Sequence, residues 1–189
     1  MAELQPLEFE QIERVTETEV EPTLERVLTG ELPAFVVQHT TADRNWLPTY
    51  RRTLEEYGFH DQRMEYRDIE PLGGSLGDLG WHHDGEPTPH MPVHIVHDHI
   101  TTAGRSVVKL AIPKPNLDLT FEERSGVADN LRNGELVDPD TYETTGLTAT
   151  LQPGSRLFFV ARGFRPLMHS FVTLQGPRNI NVRVLQKGW

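Results

Sequence analysis

Beyond residue 61 the chain is a series of short apolar runs interrupted by glycine and proline, and this punctuation restricts the fold more than any other feature. The chain holds 15 Gly and 14 Pro, widely spread, which suits many turns between short strands. The runs predict strands at residues 63–69, 80–84, 93–101, 106–112, 148–151, 156–160, 169–174 and 179–186. Since helices do not alternate with these strands, we expect a β-sandwich or barrel rather than a doubly wound sheet.

Helical patterns are concentrated in the N-terminal part of the chain. A first helix is predicted by four apolar residues at helical spacing, Val20, Leu24, Val27 and Leu28. Gly30 ends that pattern, and the next apolar run predicts a strand at residues 33–37. A second helix is expected at about residues 43–57. These helices would brace the strands that follow.

The length fits a single domain. A chain of 189 residues can bury a hydrophobic core without disulfides. We therefore expect one domain over residues 1–189. Residues 1–60 would supply helical support and the first strand, and residues 61–189 the β-rich core, with an inserted helix near residues 121–131.

Charge and cysteine content exclude several classes of function. Eighteen basic against 28 acidic residues give a net charge of −10, and the sequence shows no basic cluster of the kind that binds nucleic acid. No apolar run approaches the ~20 residues of a membrane-spanning helix. The absence of cysteine excludes disulfides, thiolate metal ligands and a cysteine nucleophile. We expect a cytoplasmic protein that acts on a small molecule, with neither a nucleic-acid nor a membrane partner.

The first candidate for chemistry is the run Gly-Trp-His-His-Asp-Gly at residues 80–85. In a strand, side chains two positions apart share a face, so His82 and Asp84 would point together. An imidazole and a carboxylate that converge in this way can supply two ligands to a divalent metal. A polar strand face is the alternative interpretation of the pair.

His169, at the start of a later predicted strand, is the candidate third ligand. Together with His82 and Asp84 it would leave three adjacent coordination positions open. Two histidines and one carboxylate in that arrangement are associated with non-haem Fe(II) oxygenases.

Arg178 follows His169 by nine residues, after the predicted turn Gln-Gly-Pro at residues 175–177. We expect a hairpin there, with the strand of His169 antiparallel to the strand that begins near Arg178. Period two places Arg178 on the same face as three apolar residues, Ile180, Val182 and Val184. A guanidinium on a buried face needs an anion, and a carboxylate held by two parallel hydrogen bonds is the natural partner. An internal salt bridge is the alternative.

With these residues in place the chain resembles the Fe(II)/2-oxoglutarate-dependent dioxygenase superfamily, whose pattern is His-x-Asp, a distant His and then an Arg. The matching positions are His82, Asp84, His169 and Arg178. The nine-residue gap is similar to that of the prolyl-hydroxylase-like branch. Arg183, fourteen residues beyond His169, would match the taurine-dioxygenase-like branch and is the reserve candidate.

The resemblance implies a mainly β fold, a double-stranded β-helix or jelly roll, here braced by N-terminal helices. It implies Fe(II) as cofactor, and 2-oxoglutarate and dioxygen as co-substrates. The expected reaction is hydroxylation of a small metabolite, such as an amino acid or a natural-product intermediate, with succinate and CO2 as co-products. Arg178 would bind the far carboxylate of 2-oxoglutarate. Several branches carry a Ser or Thr two or four residues after this Arg as a second anchor, whereas this chain has Ile180 and Val182.

Two other interpretations remain open from the residues. His97 and His99 share a face, as in the cupin proteins, so a cupin-like metalloenzyme could use that pair instead. A metal-free jelly-roll module could capture a carboxylate with Arg178 and perform no reaction. Arg162 and Arg165, in the segment that leads to His169, are candidates for binding an anionic substrate.

Overall fold

The fold is mainly β in the part of the chain that can be described. The computed structural model describes residues 12–38, 50–59, 63–69, 79–82, 93–114, 142–143, 147–163 and 167–185. Within these ranges both α-helices precede residue 60, as the apolar periodicity predicts. No helix in the described ranges is long and apolar enough to cross a membrane.

The helices are α1 (Val20–Thr29) and α2 (Arg51–Glu56), with a 3-10 turn at Glu17–Glu19 leading into α1. The strands, numbered in chain order, are β1 (Glu13–Val15), β2 (Ala34–Val37), β3 (Arg63–Ile69), β4 (Leu79–His82), β5 (Val93–Pro113), β6 (Tyr142–Glu143), β7 (Thr148–Leu151), β8 (Ser155–Gly163) and β9 (Met168–Leu185).

Helix α1 forms where the sequence predicts it. Its four apolar residues are buried, and Gly30 ends it with a φ of 84°, a left-handed conformation that glycine adopts without strain. The entry turn is closed by a capping box, in which the Glu19 carboxylate accepts a hydrogen bond from the Thr16 backbone N–H at 2.9 Å. The hydrogen bonds from Thr16 lower the pKa of Glu19.

The described strands form one bent sheet with the order β1-β2-β8-β5-β9-β3, to which β4 adds beside β9 and β7 beside β5. Strands β5 and β9 pair antiparallel from Ile95 with Leu185 to Ala111 with Met168. The first part of β5 has β8 on its other side, and the second part has β7. The ladder is irregular between Thr101 and Ser106, where Gly104 has a φ of 69°. The sheet changes direction at this corner and forms two half-sheets.

Half-sheet A consists of β1, β2, β8, β3, residues 93–101 of β5 and residues 179–185 of β9. Half-sheet B consists of β4, β7, residues 106–111 of β5 and residues 168–173 of β9. One buried cluster joins residues of both, among them Ala34, Val36 and Leu157 from half-sheet A and Val108, Leu110 and Ala149 from half-sheet B. The two half-sheets therefore face each other across a shared core.

Half-sheet A is buried on its second face as well. There Val96, Ile100 and Phe158 pack against α1 and α2, with Leu24 and Leu54 among the helix residues in the cluster. The N-terminal helices thus brace the sheet, as the sequence predicts. Strands that are buried on both faces show no regular alternation of apolar and polar residues in the sequence.

The hairpin predicted around residues 175–177 is wrong. Residues 168–185 form one strand, β9, whose two parts both pair with β5, and Gln175 itself pairs with Arg105. The strands predicted at residues 93–101 and 106–112 are likewise one strand, β5. Gly and Pro mark a bend shared by neighbouring strands here, because each long strand passes from half-sheet A to half-sheet B without leaving the ladder.

The remaining element predictions have mixed outcomes. The strands at residues 63–69 and 148–151 have the predicted bounds, and the strand predicted at 156–160 is extended to Ser155–Gly163. Helix α2 is the last part of the helix predicted at residues 43–57, of which residues 43–49 lie outside the described ranges. The helix predicted near residues 121–131 also lies outside them.

Candidate functional site

Three consecutive polar residues of β5 are completely buried in the centre of half-sheet A. The side chains of His97, Asp98 and His99 have at most 1% of their surface exposed. Because strand residues alternate between faces, His97 and His99 share one face and Asp98 lies on the other. The ring contacts of His97 and the ion pair of Asp98 show which face is which.

The face of His97 is turned toward half-sheet B. Its imidazole stacks on the ring of Phe159 from β8, with centroids 4.4 Å apart and planes inclined by 9°. The ring of His169, from β9 of half-sheet B, lies 5.6 Å from that of His97 and 5.1 Å from that of Phe159. His169 is 1% exposed. The two half-sheets thus bring His97 and His169 together although they are 72 positions apart in the sequence.

The opposite face of β5 holds a buried ion pair. Arg156 of β8 donates from Nε to Oδ1 of Asp98 at 3.1 Å, and a second hydrogen bond runs from Nη2 to Oδ2. Neither side chain is exposed. Burial raises the pKa of Asp98, and the adjacent Arg156 opposes that increase. This pair lies on the face of half-sheet A that packs against the helices, opposite the face of the two histidines. On the same side, burial raises the pKa of the half-buried Tyr50.

Of the predicted metal ligands, His82 and His169 are adjacent in the sheet. They are directly opposite each other in the antiparallel pairing of β4 with β9. Trp81, the neighbour of His82, packs against Ala111 and Met168 on the other face of half-sheet B from Leu110. Asp84 lies outside the described residues. Among the residues whose side chains are described, no group of three His, Asp or Glu side chains could hold a metal ion.

The two candidate arginines occupy different ladder positions. Arg178 is opposite Ala103, next to the irregular corner, whereas Arg183 is opposite His97 in the regular part of the ladder. Positions 180, 182 and 184 of β9 pair with the residues of β5 that face the helices, namely Ile100, Asp98 and Val96. The register therefore aligns these apolar positions of β9 with the face of β5 that packs against the helices.

Arg162 lies on the side of the helices. Its Nη2 donates to the carbonyl oxygen of Leu28, near the end of α1, at 2.6 Å, and partial burial lowers its pKa. Phe158 and Val160, two and four positions earlier on β8, pack toward the same helices. The structure therefore places Arg162 at a helix C-terminus, where a guanidinium satisfies an orphan carbonyl, on the other face of β8 from Phe159. Arg165 lies outside the described residues.

Sequence reasoning gave too little weight to His97 and His99, and it did not identify the pair of Asp98 with Arg156. A signal was present in the strand itself. The segment Val-His-Ile-Val-His-Asp-His-Ile at residues 93–100 has charged and imidazole side chains within an apolar run. Buried polar groups in such a strand need partners, so the run itself indicates an internal polar site.

Comparison with known proteins identifies no family. No family model and no curated protein matches this chain. Among solved structures it is similar to PvcB, described as an Fe, alpha-ketoglutarate dependent oxygenase from an isonitrile synthetic pathway, with 11% identity, a TM-score of 0.42, and coverage of 94% of this chain and 86% of that one. A PvcB structure from Pseudomonas aeruginosa gives 11% identity and a TM-score of 0.42 over 98% and 93%.

A third similar structure is RmlC from Streptococcus suis in complex with dTDP-D-xylose. It shares 8% identity at a TM-score of 0.33, over 74% of this chain and 54% of that chain. This chain therefore spans about half the length of RmlC. TM-scores below 0.5 assign neither fold nor family, so the functional argument depends on the chain's own residues.

Proposed function

We propose that this protein is a non-haem Fe(II)/2-oxoglutarate-dependent oxygenase whose metal ligands are His82, Asp84 and His169. The observation that carries the proposal is the direct pairing of His82 with His169 across β4 and β9. Directly opposite residues of an antiparallel pair share a face. Trp81, one position earlier on β4, packs with Met168, the neighbour of His169 on β9. The proposed third ligand, Asp84, lies outside the described residues.

The strand order supports a double-stranded β-helix. Eight segments result when the two parts of β5 and of β9 are counted separately; in chain order they are β3, β4, the first and second parts of β5, β7, β8, and the first and second parts of β9. With this numbering, half-sheet A has the segment order 1-8-3-6, and half-sheet B has the order 2-7-4-5. Two facing antiparallel sheets with interleaved connections are the arrangement of a jelly roll. His82 and His169 then lie on the second and seventh segments, which are neighbours.

The proposed donor set suits Fe(II). Two imidazoles and one carboxylate leave room for other ligands on one side of the ion. Fe(II) with 2-oxoglutarate and dioxygen would supply the oxidising power to hydroxylate a small metabolite, with succinate and CO2 as co-products. The protein holds the ligands and keeps the surroundings apolar, since Phe159 and Leu110 line the core beside His169.

For the far carboxylate of 2-oxoglutarate the candidates are Arg178 and the reserve Arg183, and the ladder register favours Arg183. Arg183 is directly opposite His97, whose ring is turned toward His169. Arg178 pairs with Ala103 beside the corner, where period two does not extend across the irregular ladder. A guanidinium binds a carboxylate with two parallel hydrogen bonds.

Anaerobic titration with Fe(II) and 2-oxoglutarate tests the proposal. We expect the wild-type protein to develop a visible charge-transfer band and the His169→Ala and His82→Ala variants to develop none. The His99→Gln variant, which alters another buried imidazole, is the matched control and should keep the band. Circular dichroism would confirm that each variant is folded. No band with the wild type, or a band retained by His169→Ala, would contradict the proposal.

A cupin-like site is the second candidate, because His97 and His99 are both buried on one face of β5. In that arrangement His97 and His99 would bind the metal, and His169 would not. The same titration separates the two candidates. His99→Gln would abolish metal binding in the cupin-like site, whereas His82→Ala would leave it unchanged.

A further inference from the structure

Phe159 is a side chain of half-sheet A that reaches the proposed ligand His169 on half-sheet B. It is 1% exposed. Its ring centroid lies 5.1 Å from that of His169, and the two planes are inclined by 54°. Aromatic rings attract each other in tilted arrangements with centroids ~4.5–7 Å apart, and this pair falls in that range. The contact therefore limits the orientations that the imidazole of His169 can adopt.

Phe159 is itself held from several sides. Its backbone pairs with Ala34 of β2 on one side and with His97 of β5 on the other. Its ring also stacks on the imidazole of His97 at 4.4 Å. On the opposite face, the buried ion pair of Asp98 with Arg156 joins the same two strands, β5 and β8. A side chain that packing fixes in this way is a rigid surface against which a second ring can be oriented.

We propose that Phe159 is a positioning residue for His169, whose imidazole it holds in the orientation that binds Fe(II). The proposal rests on the proposed function, in which His169 is a metal ligand. Groups next to a metal-binding imidazole fix its orientation and thereby raise the affinity for the metal. An imidazole that can adopt other rotamers must lose that freedom when the metal binds, and the lost entropy weakens binding.

The adjacent residue Phe158 provides a matched control. It is also fully buried, and its ring stacks on that of Phe35 with centroids 4.9 Å apart and planes inclined by 13°. It packs toward α1 and α2, on the other face of half-sheet A. Phe158→Leu and Phe159→Leu thus make the same chemical change at neighbouring positions of one strand. Phe159→Leu alters the ring beside His169, whereas Phe158→Leu alters the opposite face.

The affinity for Fe(II) alone tests the proposal. Its dissociation constant is measured anaerobically on the full-length protein by competition with a chromogenic chelator, and urea denaturation gives the stability of each variant. We expect Phe159→Leu to weaken Fe(II) binding about fivefold or more, and Phe158→Leu to leave it within about twofold, although both variants lose stability. Phe159→Tyr retains the ring and should bind within about twofold of the wild type. If Phe159→Leu does not fold, Phe159→Ile takes its place.

Co(II) provides a second measurement that a loss of stability alone does not change. The visible absorption bands of bound Co(II) report the geometry of its ligands. We expect Phe159→Leu to change the energies or intensities of these bands, and Phe158→Leu to keep the wild-type spectrum.

Three results would overturn the proposal. One is equal Fe(II) affinity of Phe159→Leu and the wild type, and another is an equal loss in Phe158→Leu and Phe159→Leu. The third is a loss in Phe159→Tyr as large as that in Phe159→Leu, which would show that the ring is not the determinant. Failure of the proposed function is distinct, since the wild type would then bind no Fe(II), or would bind it as well as His169→Ala does.

Discussion

At the scale of single residues, Asp98 and Arg156 form an ion pair in the interior of the protein. Both side chains are fully buried, so each loses its hydration and depends on the other. The pair joins β5 to β8 at the position between His97 and His99. A pair of this kind specifies how the two strands align, and their alignment determines which residues face His169.

Removal of one member of the pair is expected to be costly. Arg156→Met and Asp98→Leu should each lower the free energy of unfolding by about 3–5 kcal/mol, because each leaves one buried charge without its partner. The double variant should recover most of the loss. Urea denaturation measures all three variants, and Arg52→Ala serves as the control because its ion pair with Glu56 is 92% exposed on the arginine side. Additive losses in the double variant would contradict this account.

At the scale of elements, the termini of α1 show how local chemistry sets a boundary. In the 3-10 turn that leads into α1, the Thr16 backbone N–H donates to the Glu19 carboxylate, and at the end of α1 Gly30 donates its N–H to the carbonyl of Val27 at 3.1 Å. Arg162 adds a hydrogen bond to Leu28 from the sheet. Each end of the helix is therefore terminated by a local contact, and one end is also tied to β8.

Substitution of Gly30 isolates the conformational contribution. A Cβ at this position would meet no atom within 4 Å, so the cost comes from the φ of 84° alone. Gly30→Ala should lower the free energy of unfolding by about 1 kcal/mol, and Gly30→Asn by less, because Asn tolerates the left-handed region better. Thermal denaturation of the two variants provides the measurement. Equal stability of Gly30→Ala and the wild type would show that the helix end adjusts without strain.

At the scale of the whole molecule, two long strands that turn a common corner create the site. Strands β5 and β9 each contribute to both half-sheets, so His97 and His169 meet only when the sheet bends. The shared core then fills the space between the half-sheets, with Leu110 directly opposite His169 on the neighbouring strand. The stability of the core and the geometry of the site therefore depend on the same packing.

Truncation in the shared core should show this dependence. Leu110→Ala removes a fully buried side chain and should lower the free energy of unfolding by about 2–5 kcal/mol. Lys109→Ala, one position earlier and on the other face, should change it by less than about 0.5 kcal/mol. Chemical denaturation of both variants is the measurement. A small loss for Leu110→Ala would mean that the two half-sheets pack independently of each other.

The sequence predicted the elements that depend on interactions between residues close together in the chain, and it failed where distant residues pair. Helix α1 and the strands at residues 63–69 and 148–151 were predicted because periodicity and glycine act locally. The bend near residues 175–177 was assigned to a hairpin, because Gly and Pro mark a change of direction without showing which strand pairs with which. An apolar stripe alone does not identify one face of a strand when both faces of the sheet carry buried apolar residues, as in half-sheet A.

By itself the sequence determined the class of fold, the helical support and the residue types from which an iron centre could be built, since composition and short-range patterns carry that information. Only the tertiary structure decided that His82 is aligned with His169, that His97 lies beside His169, and that Arg183 is aligned with His97. These relations arise from strand register and from the bend of the sheet. Both depend on contacts between residues far apart in the chain, which no local pattern encodes.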